Sequence, residues 1–498
     1  MFPSIITFLT FVVDCLPIIR EQGYRSGSYF FHNGDNGHAY HYSSDRTFVI
    51  YFKCVLYDQG CRGRAILRLG QGFKHSSPHN HAPNPYLLQE REFRRTLLER
   101  CSTKKWVSYK DILDEARGDQ RYSARVRSRM TMNRLRTSMR NARTKTYPAI
   151  PQTLKELTEL LMKKKNRYLA KTTDNKDLLY AGSVDASDGS HNVVFISKRM
   201  RKVMADVQVI HADGTFKSRP ALPKSRQLFV IVTTWQTSII PLCWVLMEKK
   251  SMPAYDAVMK FLKQCVPDFN PMTITTDFEY PQQMAWQQNF PDAKVQGCLW
   301  HLCKAFIKKT TDLGLKKFLH KIPHMLHFIK QVCCISLLPT RYVTVALHLI
   351  KKDTLKKCPI TAALLYPFFE YVEKNWIRNA NRMQWMCFYK SLHRTNNACE
   401  SHHRTLRNAI GAYRPNIFSF IEALARLENN AHLDVLLSLS GGFPSRSRRV
   451  SAVATDKHLK RLSRDLRIMS SINQRLAVRQ YLQRAVRIMH RAVGDLSK

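Results

Sequence analysis

The stretch that most constrains the fold is VQVIHADGTF, Val207 to Phe216. Its β-branched, apolar start asks for a buried strand, and the Asp-Gly pair that follows is a poor continuation of one. Asp213 is therefore expected where a strand ends, held by the sheet and open to solvent. The pattern recurs 64 residues later. In PMTITTDFE, Pro271 to Glu279, the run Thr273, Ile274, Thr275, Thr276 closes on Asp277.

A third acid, Glu400, lies in RTNNACESHHRTLRN, which reads as the first turns of a helix with Asn396 and Asn397 as caps. Carboxylate oxygens are hard ligands that suit Mg²⁺ or Mn²⁺. Two such ions can clamp both oxygens of an in-line phosphoryl displacement. Taken singly, each acid is more readily an ordinary turn or surface residue. Their order and context together favour one site.

NVVFIS, VQVIHAD, LFVIVTTW and IIPLCWVLME are apolar runs of strand length, and SMPAYDAVMKFLKQCV has helical spacing before the strand that ends at Asp277. Adjacent strands, a helix, then a strand closing on a carboxylate is a ribonuclease H-like order. HADGTF, TTDFE, GCLWH and TNNACESHH, in that order, resemble a Mutator-like element (MULE) transposase domain over about residues 180–435. The resemblance implies that Asp213, Asp277 and Glu400 are metal-binding catalytic acids, with the two aspartates on neighbouring strands. Cys298 and His301 match the family's C-x-x-H element. By chemistry alone they share a helix face and either bind a soft metal or orient a neighbouring group. A structural or DNA-positioning role stays equally open for them. The 123 positions between Asp277 and Glu400 exceed what a minimal nuclease core needs. The family's helical insertion, here 305–395, accounts for that length, with Trp376 and Trp385 expected in its core.

Ahead of this domain, residues 24–86 alternate aromatic and polar residues around Gly and Asn turns, the mark of short antiparallel strands. Cys54, Cys61, His79 and His81 fall there in a C-x6-C-x17-H-x-H spacing. Two thiolates and two imidazoles make a tetrahedral structural Zn²⁺ site, and a unit this small needs the folding energy that a metal supplies. The aromatic strand before Cys54, the Cys61-Arg62-Gly63-Arg64-Ala65 step and the His79-Asn80-His81 end resemble a FLYWCH zinc finger. One departure is Phe52, which stands where that family usually has Trp.

Residues 87–180 read as a basic helical connector. Within it, residues 121–145 hold eight Arg, one Lys and no acid. Arg125, Arg127, Arg129, Arg134, Arg136, Arg140 and Arg143 are the candidate DNA-contacting residues, since an unbalanced cationic run suits phosphate. Pro148 and Pro151 mark a hinge, and Pro151 suits the first turn of the helix after it. The tail, 436–498, reads as a basic amphipathic helix carrying Leu462, Leu466, Met469, Ile472 and Leu476, which packs on the body, pairs with a second subunit or touches DNA.

Lys plus Arg total 80 against 37 acids, a net charge of +43 that points to nucleic acid as the partner. Thirteen cysteines in 498 residues make no disulfide framework. The apolar leader, 1–23, carries Asp14, Pro3 and Pro17 and lacks a basic start, so it reads as a strand or leader and not as a signal peptide. No phosphate-cradling G-x-x-x-x-G-K-[ST] loop occurs, which argues against a nucleotide-driven motor. The expectation is thus an α/β ribonuclease H-like transposase core with a helical insertion, preceded by a small β-rich zinc finger and a basic connector. It implies a nuclear, DNA-binding enzyme, either monomeric or a homodimer, that cleaves and joins DNA with Mg²⁺ or Mn²⁺. The alternative is a host-adopted DNA-binding regulator that no longer cleaves.

Overall fold

The computed structural model describes residues 18–22, 29–33, 37–68, 71–104, 107–236, 238–319, 321–411, 414–442 and 450–493. They fall into two units, Met1–Pro148 and Ala149–Lys498. The division comes at the Pro148/Pro151 pair. Residues 1–17 of the expected leader lie outside the described residues, as do 443–449 of the tail.

The first unit opens with a six-stranded antiparallel sheet in chain order: β1 (Ile18–Gln22), β2 (Tyr29–Asn33), β3 (Ala39–Arg46), β4 (Val49–Cys54), β5 (Arg64–Arg68) and β6 (Gly72–Ser77). Its small core is Phe31, Tyr40, Phe52, Ala65 and Leu67. Phe52 is buried with its ring 4.9 Å from Phe31 and 5.7 Å from Phe73, so a benzyl group fills the expected indole position. Four helices follow: α1 (Leu87–Thr103), α2 (Tyr109–Arg117), α3 (Ala124–Arg129) and α4 (Met132–Thr144). Phe93, Leu97, Ile112, Leu113, Val126, Leu135 and Met139 close a core of their own, so this segment is a folded helical cluster.

The first helix of the second unit is α5 (Leu154–Met162), which starts three residues after Pro151. Thr153 caps it, accepting from Glu156 N at 3.2 Å, and Glu156 reaches back to Gln152 N at 2.8 Å. This reciprocal cap leaves Pro151 outside the helix. The sheet strands are β7 (Tyr180–Asp185), β8 (His191–Phe195), β9 (Val209–Thr215), β10 (Gln227–Trp235), β11 (Ser238–Met247), β12 (Thr273–Thr276) and β13 (Lys294–Gln296). Their spatial order is β13-β12-β9-β10-β11-β8-β7. Strands β7 to β11 pair antiparallel, whereas β12 pairs parallel with both β9 and β13. Three helices lie among them: α6 (Lys198–Asp206), α7 (Met252–Cys265) and α8 (Tyr280–Asn289). Strands β10 and β11 are buried along nearly their whole length, which explains why they read as continuous apolar runs.

Between β13 and Asn396 come α9 (Leu299–Asp312), α10 (Lys316–Leu319), α11 (Pro323–Ile335), α12 (Thr340–Lys357), α13 (Pro359–Val372) and α14 (Ala380–Trp385), so the stretch 305–395 expected as an insertion is helical from within α9 onward. Then come α15 (Asn397–Ile410), α16 (Ile417–Leu439), α17 (Val450–Ser470) and α18 (Gln474–Val493). The tail is two helices, and they pack on the insertion: Leu462, Leu466, Val478 and Tyr481 share its core with Val332, Val343 and Phe368. Ile472 and Leu476 of the expected stripe are exposed, because residue 472 lies in the turn between the two helices. Trp376 joins the insertion core as expected, but Trp385 does not. It packs in the sheet core and donates Nε1–H to Gln287 at 3.2 Å.

Candidate functional site

In the first unit, β4 ends at Cys54 and the turn before β5 presents Cys61, while the segment after β6 returns His79 and His81. Their four ligand atoms lie within 4.8 Å of one another. Cys54 Sγ is 3.3 Å from His81 Nε2, Cys61 Sγ is 3.4 Å from His79 Nδ1, and the two imidazole nitrogens are 3.2 Å apart. Bond lengths of about 2.3 Å to sulfur and about 2.0 Å to nitrogen around a tetrahedral ion require roughly these separations. The donor set therefore fits a closed structural metal site.

Its surroundings fix the ligands. Leu56 N–H and Gly63 N–H each donate to a cysteine sulfur at 3.3 Å. A Cβ at Gly63 would stand 2.4 Å from His79 Nδ1, so only glycine lets the backbone come this close. The Tyr40 hydroxyl lies 2.7 Å from both His79 Nε2 and His75 Nδ1. His81 Nδ1 lies 2.9 Å from the Ala82 carbonyl. Each outer contact occupies one ring nitrogen and leaves the other for a metal. Burial, then the neighbouring histidines His38, His81 and His75, lower the His79 pKa to about 4, which keeps that ring in its ligating neutral form. Composition does not reveal Tyr40 and His75 as supports; alternation along β3 and β6 marks them only as residues of those strands.

In the second unit, β9 and β12 run parallel with Ala212 opposite Thr276. The next residue on each is an acid, so Asp213 and Asp277 are neighbours. Asp213 is not where β9 ends, contrary to the expectation from Asp-Gly. Strand β9 runs on to Thr215, with Asp213 opposite Val230 of β10. The physical reason is that β10 continues the ladder after β12 has stopped, so the acid sits beside a missing neighbour and not at a chain turn. A Cβ at Gly214 would meet Gln227 Oε1 at 2.1 Å, so a larger residue there would push the Gln227 side chain aside. The side chains of Asp213 and Asp277 are 16% and 29% exposed. Burial and then the Asp277 charge push the Asp213 pKa well up, to about 8, against the opposing pull of Gly214 N–H, which donates at 2.7 Å. Two crowded carboxylates of this kind call for a cation.

Helix α15 crosses this edge, packing on β9, β10 and β11. Asn396, just before it, does not cap the helix with its side chain. It is buried, and its amide donates to the Ala212 carbonyl at 3.2 Å and to Asp277 Oδ1 at 3.4 Å. Two turns further on, His403 Nδ1 lies 3.7 Å from Asp213 Oδ2. Glu400 stands four residues after Asn396 and three before His403, hence on the same helix face. Its side chain is exposed, and among the described residues it forms no ion pair with a partner.

Cys298 and His301 do converge, and with an acid. Asp277, Cys298 and His301 place their ligand atoms within 4.8 Å of one another, a grouping that includes neither Asp213 nor Glu400. His301 Nδ1 lies 2.9 Å from Asp277 Oδ1, close enough for the protonated ring to pair with the carboxylate. Cys298 Sγ accepts from Asn396 N–H at 3.3 Å. Burial pulls the His301 pKa down, but Asp277 and Cys298 outweigh it and raise it to about 10. A charged imidazole beside Asp277 partly substitutes for a cation. Sequence reasoning named Asn396 only as a cap and missed its bond to Asp277, His403 beside Asp213, and the joining of Asp277 to the C-x-x-H pair; the local signal was their presence in the same short motifs.

The arginines of 121–145 divide. Arg125, Arg129, Arg134, Arg136 and Arg140 are exposed. Arg127 and Arg143 are turned inward: Arg127 donates to the Arg117 carbonyl at 3.1 Å, and Arg143 to those of Lys104 and Val107 at 3.3 and 2.8 Å. Open backbone carbonyls at the ends of helices need donors, and guanidinium forks supply them. On the sheet of the same unit Lys53, Arg62 and Arg64 gather around the Tyr57 ring, at 5.1 to 5.3 Å.

A family model for the MULE transposase domain matches residues 209–305. The match runs from β9 into α9 and takes in Asp213, Asp277, Cys298 and His301, but stops short of Glu400. No curated protein matches the chain. Among the described residues no helix is long and apolar enough to cross a membrane. The matched domain suggests a transposase-related function and implies DNA binding.

Proposed function

We propose that this chain is a DNA transposase of the Mutator-like type that cleaves and joins phosphodiester bonds with divalent metal. The observation that carries the reading is the parallel register of β9 and β12, which sets Asp213 beside Asp277 inside the matched domain. The order β11-β10-β9-β12-β13, antiparallel across the first three and parallel across the last three, supports a ribonuclease H-like core. Mg²⁺ or Mn²⁺ held by these acids would neutralise charge on the attacking and leaving oxygens of an in-line displacement. The chain's own part is positional. Asn396 anchors Asp277, Gly214 N–H anchors Asp213, and α15 carries Glu400 along the same edge as the third acid. In the first unit Cys54, Cys61, His79 and His81 hold Zn²⁺ in a FLYWCH-type finger. This finger and the exposed arginines Arg125, Arg129, Arg134, Arg136 and Arg140 bind the element's terminal DNA in the nucleus.

The test is a nicking assay with the purified chain, Mg²⁺ or Mn²⁺, and DNA carrying the genomic ends that flank the gene. Metal-dependent nicks at those ends are expected. Tight DNA binding without nicks in either metal would overturn the catalytic reading and leave a DNA-binding regulator derived from a transposase. The exposed position of Glu400 and the His301 ion pair on Asp277 are the observations that favour that second reading.

A further inference from the structure

We propose that a cavity between the loop before α15 and helix α17 binds successive phosphates of the DNA strand that the acid pair acts on. The cavity holds about 270 Å³ and is walled by Lys390, Lys460, Arg464 and Arg467 over a floor that includes Phe388 and Tyr481. All four cationic residues are exposed, and among the described residues none forms an ion pair with a carboxylate. The one acid on the wall, Asp456, is already paired with Arg394. What is left is an excess of positive charge around a concave surface, which selects a polyanion.

The spacing favours a strand over a single anion. Lys460, Arg464 and Arg467 fall at i, i+4 and i+7 of α17, one face of the helix. At about 1.5 Å per residue they span roughly 10 Å, and a DNA strand rises about 3.4 Å per nucleotide. That span equals about three nucleotide steps, so the row of three cations runs alongside several successive phosphates of one strand.

Position ties the cavity to the acid pair. Lys390 and Arg394 lie on the loop that runs into Asn396, the residue bonded to Asp277. That loop is pinned: Thr275 Oγ1 donates to the His393 carbonyl at 3.2 Å, and Leu299 N to the Arg394 carbonyl at 2.7 Å. Six residues of chain reach at most about 22 Å, so Lys390 lies within about six nucleotides of the acids. The inference rests on the DNA-acting reading above and adds to it a grip on the substrate within the catalytic unit itself.

The experiment measures affinity of the full, zinc-loaded chain for duplex DNA across a salt series, without added Mg²⁺ or Mn²⁺ so that no cleavage intervenes. One variant carries Lys390→Gln, Lys460→Gln, Arg464→Gln and Arg467→Gln; a second keeps every charge with Lys390→Arg, Lys460→Arg, Arg464→Lys and Arg467→Lys. Each phosphate left without its cation lowers the slope of log affinity against log salt by about 0.9. The neutral variant should therefore lose about 2 to 4 in slope and weaken on all sequences alike, while the charge-keeping variant stays near the parent. An unchanged slope in the neutral variant overturns the proposal, as does an equal loss in the charge-keeping one. Relief of the parent's DNA binding by millimolar inorganic phosphate, absent from the neutral variant, would reassign the cavity to a single small anion. Because the assay omits the catalytic metal, a chain that grips DNA here yet never nicks it when Mg²⁺ or Mn²⁺ is supplied would overturn the catalytic reading and leave this one standing.

Discussion

In the first unit four soft and borderline ligands already stand at tetrahedral separations, each fixed by an outer hydrogen bond or a close backbone. On the sheet edge of the second unit two hard carboxylates are crowded together, the third acid stays exposed, and the nearest compact ligand group draws Asp277 toward Cys298 and His301. The difference follows from charge. Neutral imidazoles and thiols tolerate close approach without an ion. Carboxylates repel, so their site takes its final shape only when a cation offsets that repulsion. A structural metal site can be complete in the fold, whereas a reactive one keeps open positions for substrate.

The largest effect that would break this comparison lies in the finger. Cys54→Ser or Cys61→Ser in the full chain should remove one equivalent of zinc by metal analysis and abolish the unfolding transition of the β1–β6 sheet. Structural zinc contributes on the order of 10 kcal/mol to such folds. Retention of both zinc and the transition would mean that the four ligands are held by packing alone.

The acids should behave in the opposite way. Asp213→Asn and Asp277→Asn are expected to reduce metal-dependent nicking to background while leaving DNA affinity and thermal stability near those of the parent. Glu400→Gln should do the same if α15 delivers that residue to the metals. Full nicking by the Glu400 variant would confine the site to the two aspartates and whatever the C-x-x-H pair adds.

Outer contacts sharpen the contrast further. Removing the hydroxyl in Tyr40→Phe frees His79 Nε2, and zinc affinity, read by chelator competition, should fall about 10- to 100-fold. Unaltered affinity would make Tyr40 a packing residue of the sheet.

The smallest effect is a pH dependence at the acids. The Asp213 pKa is raised to about 8, so below that pH a metal must displace a proton to bind. Mn²⁺ affinity should rise up to about tenfold per pH unit toward pH 8 and then level off, and Asp213→Asn should flatten the profile. The sign for stability is the reverse. A carboxyl whose folded value lies above its unfolded one stabilises the fold at low pH, and that contribution is lost as pH rises from the ordinary carboxylate range through about 8. Melting without metal should therefore show a falling trend across that window, which saturating Mn²⁺ removes.

Much of the molecule is legible in its local patterns. The β-branched runs before Asp213 and Asp277 announce buried strands, and the Cys54, Cys61, His79, His81 spacing announces a closed metal site, because such signals depend only on how one short segment meets solvent or an ion. The long interval between Asp277 and Glu400 likewise announces extra helices. Tertiary structure alone decided the rest. The apolar pattern of β9 is the same whichever strands flank it, yet only its parallel pairing with β12 makes Asp213 and Asp277 neighbours. Nothing local sets β8 beside β11, sends Trp385 into the sheet core, turns Arg127 and Arg143 onto backbone carbonyls, or aims the Asn396 amide at an acid 119 residues earlier in the chain. Those outcomes depend on which elements close against one another. That choice is made by packing between distant segments, and it leaves no periodicity in any one of them.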